Sequence, residues 1–196
     1  MPLAIDLYCG LGGWADGFLA AGYDVIGFDI VQWPYPGQLV LQDVATLDGA
    51  QFRNAVAIVA SPPCQEYSYR NMPWRRVREL PPPSNALFDA CFRIQHEAIA
   101  AAGRYIPMVV ENVVGAQKWV GPATWHYGSF YLWGDVPAVM PFAGGDAIKH
   151  NGSGATWFDT GLTRLPSHSP RRRQASAAIA KIPPALSEHV ARCFLP

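Results

Sequence analysis

Charge is scarce in this chain. Only 15% of its 196 residues are Asp, Glu, Lys or Arg, and 15 bases balance 15 acids, so the formal net charge is zero. No overall field draws the protein towards nucleic acid or an anionic surface, and any such partner must be met by local clusters of charge. Cysteine is sparse as well. Cys9, Cys64, Cys91 and Cys193 stand far apart, with no CxxC or Cys/His spacing. That pattern excludes a sequence-readable zinc site or disulfide framework and suits a reducing compartment. No metal is expected. The first apolar run is not preceded by a basic stretch, and no uncharged apolar segment reaches the roughly 20 residues that cross a bilayer. A cytoplasmic protein with no membrane partner is the expectation. Internal repeats are missing, and low complexity is confined to Pro81 to Pro83.

What is present is apolar. Half of the residues are hydrophobic, and the length suits one well-buried domain. Leu3 to Leu7 reads as a short strand interrupted by Asp6, followed by Tyr8-Cys9-Gly10-Leu11-Gly12-Gly13. Trp14, Phe18, Leu19 and Ala21 then recur at near-helical spacing up to Gly22, which gives strand, glycine turn, helix. Tyr23 to Ile30 is a second strand that delivers Asp29. The interval from the glycines to Asp29 is close to the roughly 20 residues separating a nucleotide-binding turn from the acid that holds a ribose. The pattern is not GxGxxG, so a dinucleotide is not the first choice. A solvated strand end is the bland reading of Asp29, and the order of elements favours the ribose. Asp43, after a third apolar piece at Leu39 to Leu41, suits an adenine amino group or a simple turn.

Ala55 to Ala60 is a near-continuous apolar run, as in a parallel strand buried on both faces. It leads to Ser61-Pro62-Pro63-Cys64, where two prolines end the strand and hold the cysteine on a stiffened loop. A buried structural cysteine is the commoner fate of such a residue. Position after a buried strand favours a nucleophile instead. The next residues change character: Arg70, Arg75, Arg76 and Arg78 alternate with Tyr67, Tyr69 and Trp74 before the three prolines. Arginines interleaved with aromatics suit a phosphate backbone and an unstacked base, against the alternative of a solubilising loop. Asn85 to Arg104 has a helical apolar face with Ser84 as candidate N-cap. Ile106 to Val110 is a further strand, ending in Glu111-Asn112-Val113. The alternation predicts an α/β fold with a doubly wound, mostly parallel sheet and the reactive residues along one edge.

From Gln117 to about Pro170 the composition turns to glycine, proline, tryptophan and serine, with candidate strands at Ser129 to Trp133 and Thr156 to Asp159. Arg171-Arg172-Arg173 follows, then Ala175 to Ile182, Pro183-Pro184, and an amphipathic helix over Ala185 to Phe194.

A glycine cradle, an exposed thiol and an acid at a neighbouring strand end suit one reaction. A thiolate adds to the electron-poor C6 of a pyrimidine, an acid shares a proton with N3, and C5 then becomes able to attack a methyl donor. DLYCGLGGW, SPPCQEYS and VVENVVG, in this order, resemble three signature motifs of the cytosine-5 DNA methyltransferases over Ala4 to Gly115. That family resemblance implies a Rossmann-like S-adenosylmethionine-dependent methyltransferase fold, with Cys64 as covalent nucleophile and Glu111 as the acid at cytosine N3. It implies an S-adenosylmethionine pocket lined by Asp6, Tyr8, Cys9, Gly10, Gly12, Gly13, Asp29, Ile30, Asp43, Pro63, Asn85 and Leu87. Double-stranded DNA would be the partner of a monomer, with the target base flipped from the stack. Gln65, Ser68, Arg70, Arg75, Arg76, Arg78, Asn112 and Arg171 to Arg173 would meet it. On this reading residues 1–196 form a single catalytic domain. Its parts are a cofactor-binding and catalytic core (1–115), a reduced target-recognition insert (116–170) and a C-terminal segment returning to the core (171–196).

Two departures stand out. The family's Gln-x-Arg-x-Arg motif has no counterpart, since Trp125 to Phe130 contains no arginine. Ile179-Ala180-Lys181-Ile182 precedes Pro183-Pro184 where an asparagine near the cofactor is usual. The alternatives are the same chemistry on RNA or a free cytidine nucleotide, or a binding homologue impaired in turnover.

Overall fold

The computed structural model describes residues 1–70, 80–143 and 169–196. Arg75, Arg76, Arg78 and the candidate strand Thr156 to Asp159 lie outside the described residues, as do the side chains of Arg70 and Arg172.

Seven strands form one sheet: β1 (Leu3–Leu7), β2 (Asp24–Asp29), β3 (Gln38–Leu41), β4 (Ala57–Ala60), β5 (Met108–Asn112), β6 (Trp125–Tyr127) and β7 (Phe130–Gly134). Their spatial order is β3-β2-β1-β4-β5-β7-β6. β1 to β5 pair in parallel, and β7 runs antiparallel to both β5 and β6. The doubly wound, mostly parallel α/β architecture is therefore present. The chain moves outward from β1 to β3 and then returns to lay β4 on the other side of β1. That reversal opens a crevice at the C-terminal ends of β1 and β4, where sheets of this kind bind ligands.

Helices cover both faces, which explains why the central strands read as unbroken apolar runs. On one face α3 (Ala86–Ala102) buries Phe88, Cys91, Ile94 and Ala98 against Ile5, Leu7, Ile58 and Val110. Gly103, with φ 64°, ends that helix by donating its N–H to the Ile99 carbonyl at 3.0 Å, a left-handed C-terminal stop that glycine makes cheaply. The Ser84 hydroxyl accepts from Ala86 N at 3.3 Å, while the residue at the boundary is Asn85.

On the other face α1 (Gly13–Ala20) packs Trp14, Ala15 and Phe18 against Ile182 and the last helix, α6 (Pro184–Cys193), which follows α5 (Pro170–Ala180). α1 and α6 approach closely: a Cβ on Gly17 would stand 2.3 Å from Glu188 N. Leu186, Val190 and Ala191 are fully buried there, and each large aliphatic so buried contributes about 1.5–3 kcal/mol relative to exposure.

Short elements complete the fold: α2 (Gln65–Arg70) after β4, and α4 (Gln117–Val120) after β5. Within the stretch from Gln117 to about Pro170 that composition suggests is irregular, the candidate strand Ser129 to Trp133 is present as β7, and β6, which was not expected, joins it to extend the main sheet. β6 spans three residues and β7 five. Such short antiparallel strands leave little period-2 signal among glycines and prolines. Among the described residues no helix is long and apolar enough to cross a membrane.

Candidate active site

A cavity of about 430 Å³ opens at the crevice between β1 and β4, within the roughly 300–1,000 Å³ of small-molecule sites. Four strand ends feed it. β1 delivers Tyr8, Cys9 and Gly10, and β2 delivers Asp29, Ile30 and Val31. β4 delivers Ser61 to Gln65, and β5 delivers Glu111.

One end of the cavity is held by β4 and β5, which lie side by side with Ala60 opposite Val110. Asn112 joins the two exits: its Nδ2 donates to the Pro62 carbonyl at 2.9 Å, and its Oδ1 accepts from Val113 N at 2.9 Å. With 1% exposure, Asn112 is committed to the interior. Cys64, half-buried, sits ahead of α2, and its carbonyl accepts from Ser68 N at 2.9 Å. Glu111, 3% exposed, lines the same cavity. Trp14 Nε1 donates to Ser61 Oγ at 3.1 Å, tying α1 to the wall beside the cysteine loop.

Two thiols therefore share the cavity. Burial pushes the Cys9 thiol well above its ordinary range, and the nearby Asp6 and Asp29 carboxylates push it further. Cys9 is thus a neutral thiol at physiological pH, and a neutral thiol is a poor nucleophile. The half-buried Cys64 is the better-placed sulfur.

At the other end the carboxylate of Asp29 is fixed by two backbone amides, Gly10 N on Oδ2 at 3.0 Å and Val31 N on Oδ1 at 2.9 Å. Each oxygen retains a further lone pair for a ligand hydroxyl. Asp43, exposed, caps the 3-10 turn Val44–Thr46 through a bond from Ala45 N at 2.9 Å. Ile30, Val31, Trp33, Val44 and Leu87 give this end apolar walls. Gly10 has φ 48°, and a Cβ placed on it would meet no atom within 4 Å. The open space in front of that backbone suits close approach by a ligand. Tyr8 is the one non-glycine residue with positive φ among the described residues, at 56°, and its hydroxyl donates to the Leu87 carbonyl at 3.0 Å. Strained backbone of this kind concentrates at binding sites.

Four residues expected to line the cofactor pocket do other work. Gly12 is needed because Pro36 packs where its Cβ would be, 2.4 Å away, and Gly13 because Ile182 N lies 2.4 Å from its Cβ position. Asn85 accepts from the Tyr67 hydroxyl and donates to the Trp119 carbonyl, both at 3.1 Å. Asp6 is fully buried beneath the glycine turn, where its Oδ2 accepts from the Tyr35 hydroxyl at 3.1 Å and its Oδ1 has no hydrogen bond. Loss of hydration raises its pKa from 3.8 to about 8. The Tyr35 hydroxyl opposes the rise and nearby Asp29 adds to it; the Ala15 amide lowers it slightly and Asp16 raises it slightly. An orphaned carboxylate oxygen is costly when ionised, so the proton is retained.

Of the residues expected to meet nucleic acid, Gln65 lines the cavity, Ser68 is half-buried, and Arg171 and Arg173 are exposed on α5. Sequence reasoning missed Leu11, Trp14, Val31, Trp33, Val44 and Ser61 in the lining, and Ala177, Ala180, Lys181 and Ile182 from the C-terminal segment. A usable signal existed for Trp33, since Trp33-Pro34-Tyr35-Pro36-Gly37 is a stiff loop a few residues after Asp29 at the end of β2.

No protein-family model matches the chain, and no curated protein does. Similar solved structures include a protein described as a DNA modification methyltransferase encoded within a prophage of E. coli, at 21% identity and TM-score 0.41, covering 61% of this chain and 34% of that one. S. pombe Dnmt2 methyltransferase is similar at 18% identity and TM-score 0.41, covering 60% and 36%. Entamoeba histolytica methyltransferase EhMeth is similar at 16% identity and TM-score 0.43, covering 60% and 40%. The chain thus matches well under half of the length of each.

Proposed function

We propose that the chain is an S-adenosylmethionine-dependent methyltransferase acting at C5 of cytosine in DNA. The observation that carries this reading is the meeting, in one cavity, of Cys64, Glu111 and a cradle of Gly10, Asp29 and Asp43. The residues fit the cofactor. Asp29 would accept from the ribose hydroxyls, Asp43 from the adenine amino group, and Trp33, Ile30 and Leu87 would enclose the base. When bound, S-adenosylmethionine supplies an electrophilic methyl group.

The chain's own residues do the rest. Cys64 Sγ forms a bond to cytosine C6, and the electron pair displaced from the C5–C6 double bond is stabilised as Glu111 shares a proton with N3. C5 is then nucleophilic and takes the methyl group. Loss of the C5 proton restores the double bond, breaks the Sγ–C6 bond and regenerates the thiolate. Pro62 and Pro63, with Asn112 bonded to the Pro62 carbonyl, would hold the loop carrying Cys64 at the exit of the strand next to β5, so that little ordering remains for the reaction itself. A cytosine within a duplex must leave the stack to reach this cavity, at a cost of a few kcal/mol. Arg171 and Arg173, exposed on the helix that also brings Ala177 and Ala180 to the cavity, are with the Arg70 to Arg78 stretch the cations suited to hold the backbone meanwhile.

Transfer of a labelled methyl group to a duplex, an RNA stem and cytidine nucleotides tests the substrate. Transfer to duplex DNA, weakening with salt, is expected. Transfer confined to RNA or nucleotides would replace the DNA reading, and no transfer to any of the three would contradict the enzyme.

A further inference from the structure

The charged side chains around the cavity are unevenly divided. Asp29, Asp43 and Glu111 are acids, and Lys181 is the one cation among the described lining residues. The cofactor proposed above carries a carboxylate at its amino-acid end, and a carboxylate enclosed without a donor or counter-charge is costly. Asp29 and Asp43 repel it from the adenosyl end. Lys181 lies elsewhere in the wall, and its place is set by packing. The next residue, Ile182, seats its backbone on the first turn of α1, where a Cβ on Gly13 would come within 2.4 Å of Ile182 N. Lys181 Nζ pairs with Asp16 of that same turn at 2.7 Å. The ammonium is thus held at the first turn of α1, the end of a helix whose dipole favours an anion.

We propose that Lys181 binds the carboxylate of the cofactor's amino-acid end, with Asp16 as the residue that positions it. The inference rests on the S-adenosylmethionine reading. An ammonium has three donors, so Lys181 accommodates a second acceptor without releasing Asp16. Both side chains are a little over one-third exposed, so the pair alone is worth little as a fastener between α1 and the C-terminal segment. A ligand carboxylate gives the arrangement a function that the pair by itself does not.

The test is calorimetric binding of two ligands to the full chain: S-adenosylhomocysteine, which has the amino-acid end, and methylthioadenosine, which lacks it. Lys181→Met should weaken S-adenosylhomocysteine by about tenfold or more, as expected for loss of a charge-assisted bond, and leave methylthioadenosine within about twofold of wild type. Lys181→Arg should recover much of the loss. Asp16→Asn, which removes the ion pair but keeps the cation, should preserve most of the preference for the carboxylate-bearing ligand. Unchanged S-adenosylhomocysteine binding in Lys181→Met would overturn the proposal. Equal weakening of both ligands would also overturn it, because Lys181 would then be only a clasp. If wild type bound neither ligand, the cofactor reading would fall, and this inference with it.

Discussion

The two ends of the cavity are built in opposite ways. At the catalytic end Cys64 and Glu111 each depend on one strand and the few residues after it, and β4 and β5 are neighbours. At the cofactor end the wall is assembled from distant pieces: Trp33 from the β2–β3 loop, Ala177 and Ala180 from α5, and Lys181 and Ile182 from the link to α6. The C-terminal part of that wall is set by close packing on α1, with Ile182 against Gly13 and Ser187 and Glu188 against Gly17. Reactive chemistry is local in the chain here, whereas enclosure is a property of packing.

Breaking the catalytic end should have the largest effect. Cys64→Ala is expected to abolish methyl transfer while leaving S-adenosylhomocysteine affinity unchanged, read by labelled transfer and calorimetry on the same preparation. A variant that still transfers methyl groups would remove Cys64 from the mechanism. Glu111→Gln should follow, with turnover down by about 10²–10⁴-fold, the range for a positioned acid. A kinetic loss confined to cofactor KM would show instead that Glu111 serves binding.

The cofactor end should fail through stability. Gly13→Ala forces a methyl group against the Ile182 backbone, and overpacking of this kind costs about 1–3 kcal/mol. Its denaturation midpoint should fall together with cofactor affinity. Wild-type stability in that variant would mean that the C-terminal segment is not seated on α1 as described.

The smallest effect is a slope. The folded protein holds a proton on Asp6 up to a pH of about 8, against 3.8 for the free group. The folded state therefore binds more protons than the unfolded state between these values, and stability from Asp6 is complete below about pH 4 and lost as pH rises through 8. Asp6→Asn keeps an acceptor for the Tyr35 hydroxyl and removes the titration. Its stability relative to wild type should rise from pH 5 to pH 8.5. A constant difference would show that Asp6 is ionised throughout.

The same contrast explains what the sequence disclosed. Cys64 and Glu111 were legible as groups at the exits of apolar runs, which report strand ends directly, and β1 to β5, β7 and α3 fell within a few residues of their expected bounds. Gly12 and Gly13 were legible as glycines but not as seats, since nothing local says that Pro36 and Ile182 will rest on them. Nothing local in the sequence shows that Asn112 bonds the Pro62 carbonyl, which lies fifty residues earlier. The hairpin of β6 and β7 was half hidden, as three- and five-residue strands carry too little alternation to stand out from the glycines around them. Lys181 gave no signal at all until the segment carrying it was seen against α1.

The claim on which the rest depends is that Cys64 attacks a cytosine at C6. Mixing the protein with S-adenosylmethionine and a duplex carrying 5-fluorocytosine blocks loss of the C5 substituent, so the Sγ–C6 bond persists. Peptide mass spectrometry after digestion should place a fluorinated, methylated nucleotide on the peptide containing Cys64, and on no peptide of the Cys64→Ala variant. An adduct on Cys9, or methylated DNA formed with no trapped species, would contradict the account.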